Sequence, residues 1–323
     1  MTTTPAPAPA PASAPDTAPT AAQAQARSVR TGFLASFVAF VIWGLIAPVY
    51  FKSLHGVGPL EIVAHRVVWT VLLVGAVVVV RPGLAGFVRS IGTWRRLGLL
   101  AVTTALISTN WSIFIWATVN NQMVQASLGY YINPLVNVLL GVAFLKESLS
   151  WRQSGAVLIA ALGVMSLVVQ QDVVPWVALT LAVTFGIYGL LRKKVTIDPL
   201  PGMLVETGLL LPLALGYLLW LGPDGSFAMH GIGHDLMLFL SGPVTAVPLL
   251  LFVVGAKRLR LATIGLLQYM VPTGQLMLGV LVYGETFTQA HAIAFGCIWV
   301  ALALYSADAL TTRRAERAKL ERA

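Results

Sequence analysis

From Gly32 onward the chain is little more than a succession of apolar runs, each about long enough to cross a lipid bilayer. A helix needs about 20 mostly apolar residues to traverse the hydrocarbon core. Ten such segments can be read, at about 32–51, 60–80, 97–119, 123–145, 153–170, 173–191, 201–220, 234–255, 262–283 and 289–309. Pro82-Gly83, Asp198-Pro199 and Gly222-Pro223-Asp224-Gly225 break the chain between them. Only 10% of the residues are charged and 57% are hydrophobic, against about 25% charged in a soluble domain. The expectation is an all-α integral membrane protein with ten transmembrane helices.

The basic residues test that count. With the N-terminus in the cytoplasm, every Lys and Arg except Lys52 and Arg66 falls in a cytoplasmic segment. Lys52 lies outside and Arg66 within a span. This is the asymmetry of the positive-inside rule, and it places both termini in the cytoplasm. The same distribution argues against nucleic acid as a partner, despite a net charge of +9, because the charges sit in short runs with no basic helix. The single cysteine, Cys297, lies inside an apolar segment, which excludes an intrachain disulfide and reads as a packing residue. Residues 1–31 begin with an Ala/Pro/Thr tract that lacks the basic start and apolar core of a signal peptide, and read as a disordered cytoplasmic tail.

The chain repeats itself. Pro134, Gly141 and Glu147 recur as Pro272, Gly279 and Glu285, each 138 residues later. Phe40, Trp43, Gly44 and Glu61 match Phe185, Tyr188, Gly189 and Glu206 at an offset of 145. Five spans per half is an odd number, so the second half is inverted in the membrane. The expected units are 32–170 and 171–310, followed by a basic cytoplasmic tail at 311–323. Two inverted five-helix halves are an architecture of secondary transporters.

Pro134 and Pro272 fall within their spans, and each removes a backbone N–H, freeing the carbonyls of Tyr130 and Gln268. Interrupted helices at matching repeat positions point to a midplane substrate site, alongside the simpler reading of packing kinks. Around them stand Tyr130, Tyr131, Asn133 and Asn137 in one half, and Gln268, Tyr269 and Thr273 in the other. Asn110 lies mid-span and serves equally as a ligand or as a bond to a neighbouring helix. Glu61, Arg66 and Glu206 are intramembrane ionisable residues, which face the interior and pair. Glu61 and His65 share one helix stripe, whereas Arg66 points about 140° from Glu61 and needs a partner elsewhere. Ala156, Ala160 and Gly163 form a small-residue packing face. Lys146, Glu147 and Glu285 read as solvated loop residues, and no nucleotide, metal or nucleophile motif is present, so no enzyme and no cofactor is expected.

At these residues the sequence resembles the RarD proteins, within the EamA family of the drug/metabolite transporter superfamily. The likeness runs through Trp43-Gly44, Tyr50-Phe51-Lys52, Glu61 with His65-Arg66-Val67, and Asn110-Trp111. It continues through Ala126-Ser127-Leu128-Gly129-Tyr130, Ile132-Asn133-Pro134, Tyr188-Gly189, Arg192-Lys193-Lys194 and Glu206-Thr207. Gln268-Tyr269, Pro272-Thr273 and Tyr283-Gly284-Glu285 complete it. The resemblance covers about residues 32–310; the long Ala/Pro tail departs from the shorter family starts. It implies two EamA-like repeats in a bacterial inner membrane and transport of a small metabolite or drug-like solute. The residues suggest an exporter, with Asn110, Tyr130, Tyr131, Asn133, Asn137, Gln268, Tyr269 and Arg66 binding solute. Glu61, His65, Glu206, Pro134 and Pro272 would couple or gate, with protons as the coupling ion. A non-transporting membrane sensor or assembly partner is the alternative, and the helix faces leave a homodimer open.

Overall fold

The computed structural model describes residues 21–80, 87, 91–145, 149–171, 174–194, 197–229, 231–256, 258–259 and 267–320. Lys146, Glu147, Lys257 and Arg260 lie outside the described residues, as does most of the 1–31 tail. The first long helix is continuous from α1 (Ala21–Val41) through a π turn at Ile42–Ile46 into α2 (Ala47–Ser53). Then come α3 (Pro59–Val80), α4 (Trp94–Val119), α5 (Met123–Leu145) and α6 (Trp151–Gln171). The remainder are α7 (Trp176–Lys194), α8 (Pro199–Leu221), α9 (Ile232–Ala256), α10 (Met270–Met277) with a π turn at Leu278–Val282, and α11 (Gln289–Leu320).

Among the described residues, seven helices are long and apolar enough to cross a membrane; Trp176–Arg192, Met270–Val282 and Gln289–Tyr305 are shorter apolar helices. The protein is a multi-pass membrane protein. The helix at the N-terminal side runs back to Ala21, so residues 21–31, read above as tail, are helical; their Ala/Gln/Arg-rich sequence favours that state. In the same way α11 carries helical backbone through the basic segment as far as Leu320.

We call the two faces of the bundle the Lys52 end and the Arg192 end. Indole rings mark both. Trp94 and Trp151 start α4 and α6 at the Arg192 end, Trp176 and Trp220 lie at the Lys52 end, and all four are exposed. That is where an amphipathic ring settles between headgroup and hydrocarbon.

Small residues let the backbones approach. Ala156 and Ala160 are buried against Ala290, Ala294, Phe295 and Ile298 of α11, and a Cβ on Gly163 would lie 2.5 Å from the Cβ of Cys297. Cys297 is thus a packing residue of the α6–α11 contact. Pro48 removes the N–H that would bond the Gly44 carbonyl, and the helix relaxes there into its π turn, with Ala47 N–H bonding Ile42 O. Gly44 and Gly274 then face each other: a Cβ on Gly274 would sit 2.9 Å from Gly44 O.

The main packing partners are α6 with α11, α5 with α7, α3 with both α8 and α9, α1 with α9, α4 with α7 and α8, and α5 with α10. α5 and α7 meet at Gly129, where a Cβ would lie 2.6 Å from Ala178 O. Gly129→Val should therefore cost about 2 kcal/mol through overpacking in the helix interior. Gly98→Val, with nothing within 4 Å of its Cβ position, should cost less than half of that. Thermal unfolding of the two variants in detergent micelles checks the difference.

Candidate functional site

The polar side chains that the sequence places inside the spans fall into three groups. The first gathers around Arg66, about 10 Å into α3 from its start at Pro59. Arg66 is buried, and its guanidinium carbon lies 4.1 Å from the ring centroid of Trp111 and 5.6 Å from that of Phe51. The hydroxyls of Tyr50 and Tyr130 are its titratable neighbours. Both phenols donate elsewhere, Tyr50 to Met237 O at 2.5 Å and Tyr130 to Asn110 Oδ1 at 3.3 Å. Asn110 in turn donates to Leu181 O and Thr184 Oγ1, both at 3.0 Å, so it ties α4 to α5 and α7. All its described bonds go to neighbouring helices.

The second group is the seam between α5 and α10. Tyr131 stacks on Tyr269 with centroids 6.3 Å apart and planes 17° from parallel, and Tyr131 OH lies 2.5 Å from Thr273 Oγ1. Ser127 Oγ donates to Pro272 O at 2.7 Å. α10 starts just after Tyr269, whose φ and ψ of −65° and −13° are right-handed helical, and Pro272 stands in its first turn, where a missing N–H is tolerated. Pro134 lies on the helical backbone of α5, with its side chain outside the described atoms.

Asn133 and Asn137 turn away from that seam. Asn133 Nδ2 donates to Ala182 O at 3.1 Å and its Oδ1 accepts from Asn137 Nδ2 at 3.0 Å, both toward α7. Gln268 is exposed. The structure thus splits the expected cluster of Tyr130, Asn133, Gln268 and Tyr269. Adjacent helical residues project about 100° apart, so Tyr130 and Tyr131 serve different interfaces.

The third group sits at the Arg192 end. Glu206 is buried in α8 and accepts from Thr103 Oγ1 at 2.7 Å and from Tyr188 OH at 3.1 Å. Arg192 Nε lies 3.8 Å from Glu206 Oε1. Its guanidinium lies over Gly202, where a Cβ would come within 2.6 Å of both terminal nitrogens. Arg192 counts in the sequence as one more loop cation of the Arg192-Lys193-Lys194 run; only the fold shows it turned inward. Glu206 is the member of this group that the sequence singles out; Thr103, a hydroxyl within an apolar span, is a further signal that could have pointed to it.

At the opposite end, Glu61 accepts from the backbone N–H of Ser226 at 2.5 Å and from its hydroxyl at 3.1 Å. His65 Nε2 lies 4.0 Å from Glu61 Oε1, and its ring packs on Phe227. Glu61 is therefore buried beneath the loop that follows α8. Glu285 also needs correcting from a solvated residue: its two carboxylate oxygens accept the N–H groups of Met123 and Val124 at 2.8 and 2.7 Å, capping α5. Lys52 holds the adjoining corner through Asn121 Oδ1 and lies 5.0 Å from the Tyr283 ring centroid. Among the described residues no group of three His, Cys, Asp or Glu could hold a metal ion.

Breaking the Arg192–Glu206 pair leaves a charge in a poorly solvated place. Glu206→Gln and Arg192→Met should each cost about 2 kcal/mol, and the double variant should cost less than their sum by about 1 kcal/mol, since the Arg192 side chain is 17% exposed and partly screened. Denaturant unfolding of the four proteins reads the coupling.

Comparison with known proteins bears on what these groups do. Residues 30–169 match the EamA-like transporter family. The chain is 45% identical to an uncharacterized transporter of Vibrio cholerae over 90% of this chain and 97% of that one. It is 43% identical to a protein RarD of Streptomyces exfoliatus over 91% and 94%, and 41% identical to protein RarD of Escherichia coli over 90% and 98%. In fold it is similar to a solved crystal structure at a TM-score of 0.54 and 19% identity, covering 85% of this chain and 96% of the other.

Proposed function

We propose, from the premise that this chain belongs to the EamA-like transporter family, that it is a secondary-active carrier of a small solute. It works by alternating access between two inverted five-helix halves, residues 32–170 and 171–310, and exports a metabolite or drug-like molecule.

The observation that carries this reading is the helix packing. Exchange α1 with α7, α3 with α8, α4 with α9, α5 with α10 and α6 with α11. The α4–α7 contact becomes α9–α1, and α3–α9 becomes α8–α4. The α5–α7 contact becomes that of α10 with the first π turn, while α3–α8, α5–α10 and α6–α11 map onto themselves. Tyr131 and Tyr269, related by the 138-residue offset, stack face to face, as two residues beside a pseudo-twofold axis must. Such halves rock about the seam that joins them.

On this reading the solute lies between Arg66 with Tyr130 and the Tyr131–Tyr269 seam, while Asn110, Asn133 and Asn137, bonded to α7 or to one another, shape the wall behind it and Gln268 stands at the exposed edge. The exchange carries Glu61 to the place of Glu206, so each half supplies one buried carboxylate near one end. We assign these two, with His65, to gating and to a coupling proton, and Pro134 and Pro272 to the hinge backbone. Glu206, held by Thr103, Tyr188 and Arg192, would close the Arg192 end. Glu61, held by Ser226, would close the other. The bacterial inner membrane, with both termini in the cytoplasm, is the matching location.

Cells expressing the wild type should release a solute that cells expressing Glu206→Gln release several-fold more slowly at matched membrane levels. Indistinguishable media from the two would sink the carrier reading. Orientation has its own check in a Cys297→Ser background. Asp224→Cys should react with a membrane-impermeant maleimide in intact cells, and Arg258→Cys only after permeabilisation. The opposite pattern would invert the topology.

A further inference from the structure

Arg66 is 8% exposed, and its Nε has no hydrogen-bond partner in the fold. No described carboxylate comes within 4.0 Å of it: Glu61 is held by Ser226 beside His65, and Glu206 stands with Arg192. Neither phenol beside it substitutes for an anion, since Tyr50 and Tyr130 both keep their protons in bonds to other groups. What Arg66 does have is aromatic surface, Trp111 at 4.1 Å and Phe51 at 5.6 Å. Attraction to ring faces is weaker than the cost of taking a guanidinium out of water, and it leaves the N–H fork, at the edge of the guanidinium plane, unbalanced. A buried intramembrane charge in this condition marks a place where a counter-charge arrives.

The chemistry of that counter-charge can be narrowed. A guanidinium edge is matched by the two oxygens of a carboxylate, and one cation balances one negative charge. A dianion would leave net charge in a dry site. Beyond the charged group the surroundings are aromatic rings packed edge to face. Phe51 packs edge-on to Phe114 at 6.3 Å, Phe114 edge-on to Tyr130 at 6.0 Å, and Tyr130 edge-on to Phe185 at 6.2 Å. Phe51, Phe114 and Tyr130 come from α2, α4 and α5, and the row ends on Phe185 of α7.

We infer that Arg66 is the recognition point for the solute's charge, and that the solute class is a monocarboxylate on a flat, apolar body lying along Trp111, Phe114 and Tyr130. The inference rests on the carrier reading above for the word solute, and on the Arg66 surroundings alone for the class.

Benzoate is the probe, benzamide its neutral match in shape, and inorganic phosphate the control for anions in general. In the purified full chain, benzoate should raise the thermal midpoint saturably while benzamide and phosphate leave it unmoved. Arg66→Lys keeps the charge on the aromatic faces, and with it the fold, but loses the fork; it should bind benzoate about tenfold more weakly. Arg66→Gln should show no shift. Equal shifts from benzoate and benzamide, no saturable shift from benzoate in the wild type, or wild-type binding in Arg66→Lys and Arg66→Gln would each overturn the assignment. Proteoliposome uptake separates the two ideas. Benzoate bound through Arg66 but never carried would uphold the anion site and remove the carrier. Benzoate carried equally by wild type and Arg66→Lys would uphold the carrier and remove the anion site.

Discussion

Inside a bilayer a polar group has no water to fall back on, and this one constraint shapes most of what the structure shows. A hydroxyl, amide or carboxylate in a span either bonds a neighbouring helix or stays costly. Asn110, Asn133, Ser127 and Thr103 each reach across a helix boundary, to α7, α7, α10 and α8 respectively. Each bond sets the register between two cylinders that would otherwise slide on apolar contacts. Apolar side chains gain little by choosing a helix over a lipid tail, so small residues and these few polar bonds do the sorting.

The same constraint explains why the irregular backbone lies where it does. The π turn at Ile42–Ile46 and the start of α10 at Met270 belong to helices that touch through Gly44 and Gly274. A glycine on each side allows the two helices to meet backbone to backbone, where a β-carbon on either would collide. The π turn and the close backbone contact with α10 thus coincide at Gly44.

The charged residues follow a different logic. Glu61 and Glu206 stand near opposite ends of the bundle and each is given hydrogen-bond donors by a separate element, so each fastens two parts of the chain. Arg66 has no carboxylate partner among the described residues and lies against ring faces.

Much of the helical fold was legible in the sequence, because long apolar runs are a one-dimensional signal of a two-dimensional solvent. The apolar segments appear in order, and the small face at Ala156, Ala160 and Gly163 packs as its spacing foretold. Span ends were less legible: α1 starts at Ala21 because helix propensity outlasts hydrophobicity. The candidate site was legible in residue types alone. Tyr130 and Tyr131 look like one cluster on paper, yet the 100° step between neighbours sends one to Arg66 and the other to Tyr269. Arg192 and Glu285 look like loop charges, yet one turns inward to Glu206 and the other caps α5. Hydropathy and charge patterns record how far each residue is from water. Which polar groups share a bond depends on helix rotation and crossing, and only the tertiary structure decides those.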